Sequence, residues 1–568
     1  MGLEELIEVG RGNKPADLLL KGGNLVDVFS GEIIPADLAV HKGIIVGFGR
    51  YKAKKEINLR GSTLLPGLMD AHIHLESSML SVSEFVRAVL PCGTTSVIID
   101  PHEIANVLGL DGIRYLLESS KYQPLNIFMM LPSCVPATLL ETAGARLSAY
   151  DLEPFLNHQW VLGLGEMMNY PGVLQKESRV LEKLTLLGTK NVDGHAPGLK
   201  GKDLSAYVLA GIRSDHECTT PEEAREKLRC GMHIMIREGS LTRNLDALLP
   251  LVNRKNARHF SFCTDDRYPR DLLEQGHINF MVHRAIQKKL DPVTAIRMAT
   301  YNTACYFGLR NLGALAPGYW ADIVVVDELE KFRVIKVFKK GVLVAEEGRS
   351  LLPPVSKKSF PIRSSVNVHW LTLKDFRIKG ITTRARVIEV LPGQLISRQL
   401  IRNVRMNKGF VESDLQRDLL KLIVVERHRA SGNVGKGLVR GFGLKQGALA
   451  SSVAHDSHNI ICVGCDDQSM LTAVVEIVKT GGGLVVAKGE QVLEKLPLPI
   501  AGLMSSRPLN WVNTKLEQVL QTAHSLGSEL PNPFMVLSFL SLAVIGDLKL
   551  TDKGLVNVEK GRIVSLFV

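Results

Sequence analysis

The chain has no spaced cysteine framework. Its eight cysteines include one C-x-x-C, Cys462 and Cys465, and without a second pair that motif reads as two core residues rather than a zinc site. Reduced thiols and a cytoplasmic protein are the expectation. The opening "MGLEELIEVGRGNKPADLLL" lacks the basic start and apolar block of a signal peptide. Position 6 is Leu, where a myristoylation signal needs Ser or Thr. The longest apolar run, "PFMVLSFLSLAVIG" at 533–546, falls short of the about 20 residues a membrane span needs, and it reads as a buried helix. There is no internal repeat or low-complexity tract. The net charge is +11, but the basic residues are scattered and no aromatic-basic motif accompanies them, so no nucleic-acid partner is expected.

What remains is a globular composition, 45% hydrophobic and 22% charged, over 568 residues, a length that implies two to four domains. Residues 17–65 carry short alternating runs with Gly between them, and "GALAPGYWADIVVVDELEKFRVIKVFKKGVLVAEEG" at 313–348 repeats that texture. Two β-rich flanks around a long middle suggest one small β domain, 1–65 plus 313–360, split by an insertion.

The insertion, 66–312, has a regular rhythm. The runs "GLMDAHIH", "TTSVIIDPHE", "NIFMMLPS", "WVLGLGEMM", "NVDGHAP", "GIRSDHE", "HIMIREGS" and "FSFCTDDR" each end in polar residues, and helical stretches such as "SEFVRAVLPCG" and "TPEEAREKLRCG" lie between them. Eight strands alternating with helices match a (β/α)8 barrel. The competitor, a doubly wound open sheet, wants a Gly-rich nucleotide loop after its first strand, and none is present. "LLPPVSKKSFPIRSS" at 351–365 reads as a linker, followed by a C-terminal α/β domain over 366–568. The fold class is therefore α/β: a TIM-type barrel inserted in a small β-sandwich, plus a C-terminal domain.

The strand ends hold His72, His74, His102, Glu103, Glu166, His195, His216, Glu217, Arg237, Glu238, Asp265 and Asp266. In a barrel these ends converge on one face. His72, His74, His195, His216 and Asp265 form an N,O ligand set suited to divalent zinc, manganese or iron rather than calcium. Glu166, between the two histidine groups in barrel order, can bridge two cations, which together lower the pKa of a shared water. Asp265 can then move that water's proton. His102 and Glu103 serve equally well to cap the following helix, and Arg237 with Glu238 can form a salt bridge without a substrate role.

These motifs, with the β flanks and the closing "PGYWADIVVVD", resemble the amidohydrolase superfamily. "PGLMDAHIHLESSM", "DPHEIANVLG", "GLGEMMNYPGV", "DGHAPGLKGKDL", "SDHECTT", "FCTDDR", "SSVAHDSHNIICVG" and "LPLPIAGLMS" resemble the bacterial-type adenine deaminases over nearly the whole chain. The resemblance implies hydrolytic deamination of adenine to hypoxanthine and ammonia, in purine salvage, at a binuclear manganese or iron centre, with zinc as an alternative. It implies that His72 and His74 hold one metal, His195 and His216 the other, with Glu166 bridging and Asp265 as ligand and catalytic group. Asp266, Glu103, His102, Glu217, Arg237 and Glu238 are the candidates for orienting adenine. A Lys at the strand-four position, as in the hydantoinase-like branch, is absent. A homodimer or larger homo-oligomer is the family expectation. The residues leave open a cyclic-amide or amidine hydrolase with the same centre, or a non-catalytic metal-binding scaffold. His455, Asp456, His458 and Asn459 can be a second metal site, a lid or interface near the pocket, or a hydrogen-bonded core.

Overall fold

A computed structural model describes residues 2–186, 188, 190–353, 362–391 and 397–568. The centre of the expected linker, 354–361, lies outside the described residues. Eight parallel strands form the barrel: β1 (Leu68–Ile73), β2 (Thr94–Ile99), β3 (Asn126–Leu131), β4 (Val161–Met167), β5 (Asn191–Gly194), β6 (Ser214–Asp215), β7 (His233–Arg237) and β8 (Phe260–Cys263). They pair in order as two runs, β1 to β5 and β6 to β8. Backbone bonds close both seams. The Arg213 amide donates to the Val192 carbonyl (3.0 Å), and beyond β8 the Asp265 amide donates to the His72 carbonyl (2.9 Å).

The helices form where end signals and amphipathic spacing agree. In "TPEEAREKLRCG" the helix is Pro221–Arg229; the Thr220 side chain accepts from the Glu223 amide, and Pro221 sits in the first turn. Glu222 and Glu223 lie at its start, Lys227 and Arg229 at its end, which complements the helix dipole.

The β-rich flanks join in one nine-stranded sheet. Thr63–Pro66, which leads into the barrel, pairs antiparallel with Ile323–Val326, which leaves it. Leu18, Leu20, Leu38 and Val40 share a core with Ile323, Val325 and Phe338, so neither flank completes its apolar face alone. The C-terminal region builds an eight-stranded sheet carrying the helices Asp467–Thr480 and Leu509–Ser525. Cys462 is buried and Cys465 half-buried, and all eight cysteines are free. The apolar run 533–546 is helical only over Pro533–Phe539. The Ser538 and Ser541 hydroxyls donate to the Met535 and Ser538 carbonyls, and such back-bonding competes with the helix ladder. Among the described residues no helix is long and apolar enough to cross a membrane.

One buried barrel residue makes stability depend on acid. His233, on β7, bonds Ser261 Oγ through Nε2 (2.8 Å) and stacks on Tyr306. Burial, aided by His259, lowers its pKa from 6.5 to about 3. Between those values the unfolded chain binds the proton and the folded chain does not, so this contribution to stability is lost as pH falls from 6.5 toward 3. Urea unfolding at pH 7 and pH 5 is expected to show a smaller loss for His233→Gln than for the wild type.

Candidate metal centre

Strand β1 presents the two histidines that begin the site. Its pairing with β2 slips between Asp70 and Ile73, an irregularity of the kind that re-aims side chains beside active sites. Asp70 ties β1 to the end of β8. Its Oδ1 accepts from the His72 and Thr264 amides (3.3 and 3.1 Å), and its Oδ2 lies 3.1 Å from His277 Nε2. His74 donates Nδ1–H to the Asp100 carbonyl (3.0 Å), which turns its Nε2 lone pair toward the cluster, 3.3 Å from His72 Nε2.

Glu166, near the end of β4, stands at the centre. Its Oε1 lies 3.1 Å from His74 Nε2 and 3.7 Å from His72 Nε2. Its Oε2 lies 2.6 Å from His195 Nδ1 and 3.3 Å from His216 Nε2. Each carboxylate oxygen thus faces one histidine pair. His72, His74, Glu166 and His216 are buried, while His195 is half-buried. Burial would raise the Glu166 carboxyl, but the His195 charge and hydrogen bonds from His195, His216 and His72 hold it well below its usual range. At His72 burial opposes the proton, yet Asp265 and Glu166 push the imidazole up to about 10. Negative charge strong enough to hold protons there will also hold divalent cations, which compete for the same lone pairs. Four imidazoles and two carboxylates whose donor atoms converge fit divalent transition-metal ions.

Asp100, which the sequence reading gave no role, fixes Glu166 from behind. Its Oδ2 accepts the Glu166 amide (2.9 Å) and its Oδ1 the His102 amide (3.2 Å). His102 belongs to this group as well: its Nδ1 lies 3.6 Å from Glu166 Oε1. The signal was the spacing of "DPHE", an acid two residues before the histidine. Gly165 makes room for Asp100, since a Cβ there would stand 2.0 Å from Asp100 Oδ2. Gly165→Ala is therefore expected to displace Asp100 and Glu166. The result should be roughly 10–100-fold weaker metal retention with the fold intact, read by metal analysis after dialysis alongside circular dichroism.

Of the two strand-eight acids, Asp265 faces the cluster and Asp266 accepts a hydrogen bond from Ser77 Oγ. Asp265 Oδ1 is 3.0 Å from His74 Nε2 and 3.5 Å from His72 Nε2, and Oδ2 accepts from Arg237 (2.7 Å). Burial would raise this carboxyl, but the Arg237 charge and the His72 and His74 hydrogen bonds hold it well below its usual range. Asp265 takes a left-handed backbone conformation, φ +56°. The barrel seam pins it there, because the His74 amide also donates to its carbonyl (2.9 Å). Arg237 grips Glu217 through both guanidinium nitrogens, and Glu217 lies 3.5 Å from His216 Nε2.

The salt bridge allowed between Arg237 and Glu238 does not form: Glu238 instead accepts the Leu245 amide (3.2 Å) and stands outside the cluster. Strand neighbours point to opposite faces, so an inward Arg237 leaves Glu238 turned away. Glu103 meets His455 and His458 from the C-terminal domain.

Comparison with known proteins follows the same lines. Residues 63–344 match the amidohydrolase family, and residues 394–562 match the adenine deaminase C-terminal domain. The chain is 52% identical over 566 residues to an adenine deaminase of Desulfatibacillum aliphaticivorans, covering 99% of each chain. It is 50% identical over 571 residues to an adenine deaminase of Methanothrix thermoacetophila, covering 100% of both.

Proposed function

The chain belongs to the adenine deaminase family of amidohydrolases, a family of metal-dependent hydrolases, and from that premise we propose that it converts adenine and water to hypoxanthine and ammonia, serving purine salvage. The observation that carries the reading is the two-sided seat of Glu166, with one imidazole pair on each carboxylate oxygen. In this reading His72 and His74 hold one divalent ion, His195 and His216 the other, Glu166 lies between them, and Asp265 stands beside the first pair. Manganese or iron is our assignment, with zinc as the alternative. Bound there, the cations supply a water acidic enough to react near neutral pH.

The protein's part is proton handling and orientation. Asp265, kept anionic by Arg237, takes a proton from the attacking water and delivers it to the amino nitrogen. The bond from C6 to that nitrogen breaks and ammonia leaves, the water's oxygen stays on C6 as the carbonyl, and its second proton ends on the adjacent ring nitrogen. Asp266, half-buried next to Asp265, has its carboxyl raised by burial and by the Asp265 charge and is suited to accept a ring N–H at the purine edge. The Arg237–Glu217 pair holds Asp265 in place from the other side. We assign the cytoplasm on the strength of eight free cysteines, and a homo-oligomer on family grounds, which light scattering checks.

The deciding experiment is ammonia release by the manganese-loaded protein, offered adenine, adenosine and a set of cyclic amides. Turnover of adenine is the expected result. Turnover of cyclic amides alone would move the assignment to a cyclic-amide hydrolase. Two bound metals with no turnover of any compound would make the chain a scaffold.

A further inference from the structure

The C-terminal domain reaches the mouth of the barrel. The Ser505 amide donates to the Met79 carbonyl and the Ser81 amide to the Ser505 carbonyl, both at 2.8 Å, just beyond β1. Beside this seam two imidazoles close on one carboxylate. His455 Nδ1 lies 2.6 Å from Glu103 Oε1, and His458 Nε2 bonds Glu103 Oε2. All three side chains are buried. Glu103 follows His102, whose Nε2 is 3.7 Å from Glu103 Oε1 and whose Nδ1 is 3.6 Å from Glu166 Oε1. The clamped carboxylate therefore sits one imidazole away from the metal centre, on a cleft shared with Glu76, Ser77 and Tyr268.

The clamp is itself held. Arg427, fully buried, donates to the His458 carbonyl through Nε and to the Ala501 carbonyl (3.0 Å). The His455 ring stacks on Phe539 with centroids 4.5 Å apart, and its amide donates to the Ser538 carbonyl (3.0 Å). The Ala454 amide donates to His458 Nδ1 (3.1 Å). An Nδ1 that accepts leaves the ring proton on Nε2, so His458 is a donor to Glu103. A cation seated among these three side chains would need that Nε2 lone pair and a proton on Nδ1 facing the Ala454 N–H, so the geometry favours hydrogen bonding over a third metal.

On the reading that adenine is the substrate, we propose that the C-terminal domain completes the purine site: His455 and His458 are positioning residues that hold Glu103 as a fixed acceptor for an imidazole-ring N–H of the free base. Each Glu103 oxygen spends one lone pair on its histidine and keeps another. Adenine carries a hydrogen on that ring where a nucleoside carries its sugar. A buried carboxylate there pairs with the base and is left unpaired against an N9-substituted purine. The clamp is thus a specificity device as well as a domain contact.

The test compares His455→Leu and His458→Leu with His455→Asn and His458→Gln, whose amide nitrogens fall near Nδ1 and Nε2 respectively. Each is assayed for kcat and KM with adenine and 9-methyladenine, for metal content, and for fold by circular dichroism. The Leu variants are expected to keep two metals while KM for adenine rises ~10-fold or more, with a smaller change in kcat. Their preference for adenine over 9-methyladenine should fall by a similar factor. The Asn and Gln variants should recover most of it. Folded Leu variants with wild-type KM and preference would overturn the proposal. So would loss of a third metal equivalent in those variants, which would make the cluster a cation site, or folded Asn and Gln variants no better than Leu. A wild type that releases no ammonia from adenine would instead bring down the activity assignment itself.

Discussion

Replacing Glu166 by glutamine is expected to lower kcat/KM for adenine by about a thousandfold or more, the equivalent of losing several kcal/mol of cation-derived stabilisation. The carboxamide keeps the shape and loses the charge. In the structure that charge is shared by His72 and His74 on one oxygen and His195 and His216 on the other. A neutral group offers a single acceptor oxygen, so one of the two cation seats should weaken, and metal analysis should find fewer than two equivalents after dialysis. Activity and metal content are predicted to fall together. A Gln variant holding two metals at wild-type rate would remove Glu166 from between them. Because the backbone amide of Glu166 stays on Asp100, the fold should be unaffected, and circular dichroism checks this.

The second large effect is expected at Asp265. Asp265→Asn preserves the left-handed turn, which Asn tolerates, and both backbone bonds at the seam. It removes the proton carrier. The expected loss in kcat is about 10²–10⁴-fold, with metal content reduced by less than in Glu166→Gln because Asp265 lies closest to the His72 and His74 pair. A further signature separates proton transfer from simple ligand loss. The wild-type rate should fall in acid as a carboxylate that must be anionic is protonated, and the Arg237 charge should place that limb well below neutral pH. Arg237→Met should move the limb to higher pH, because the guanidinium that depresses the carboxyl is gone. A pH profile of kcat in the wild type and in Arg237→Met reads this directly. An unchanged limb in Arg237→Met would mean that Asp265 is not the group being titrated.

Much of this architecture was legible in the chain because the barrel writes itself as a rhythm. Each apolar run from "GLMDAHIH" to "FSFCTDDR" contains a strand that ends at or near its polar residues, and parallel strands bring such ends to one face. His72, His74, Glu166, His195, His216 and Asp265 meet for that reason. The first acid of "TDD" faces the cluster because the seam with β1 fixes its backbone, a long-range fact that the pair itself does not carry.

Asp100 went unread because its work is to hold the Glu166 amide on a strand 66 residues away. The partner of Arg237 could have been found: alternation along β7 already excluded its neighbour Glu238. An interface near the pocket was among the readings of His455 and His458, but their partner was out of reach, since Glu103 lies 352 and 355 residues away and nothing local sets how the C-terminal domain docks. In the run 533–546 hydrophobicity signals burial but not continuous helix, because its serines bond back to the chain.

The most direct test of the central claim is a metal titration. Metal-free protein is given increasing Mn²⁺, and ammonia release from adenine is followed against metal bound per chain. Two ions divided across Glu166 predict activity that saturates at two equivalents in the wild type and does not reach that level in Glu166→Gln. Full activity at one equivalent, or none with two bound, would contradict a centre built on both histidine pairs.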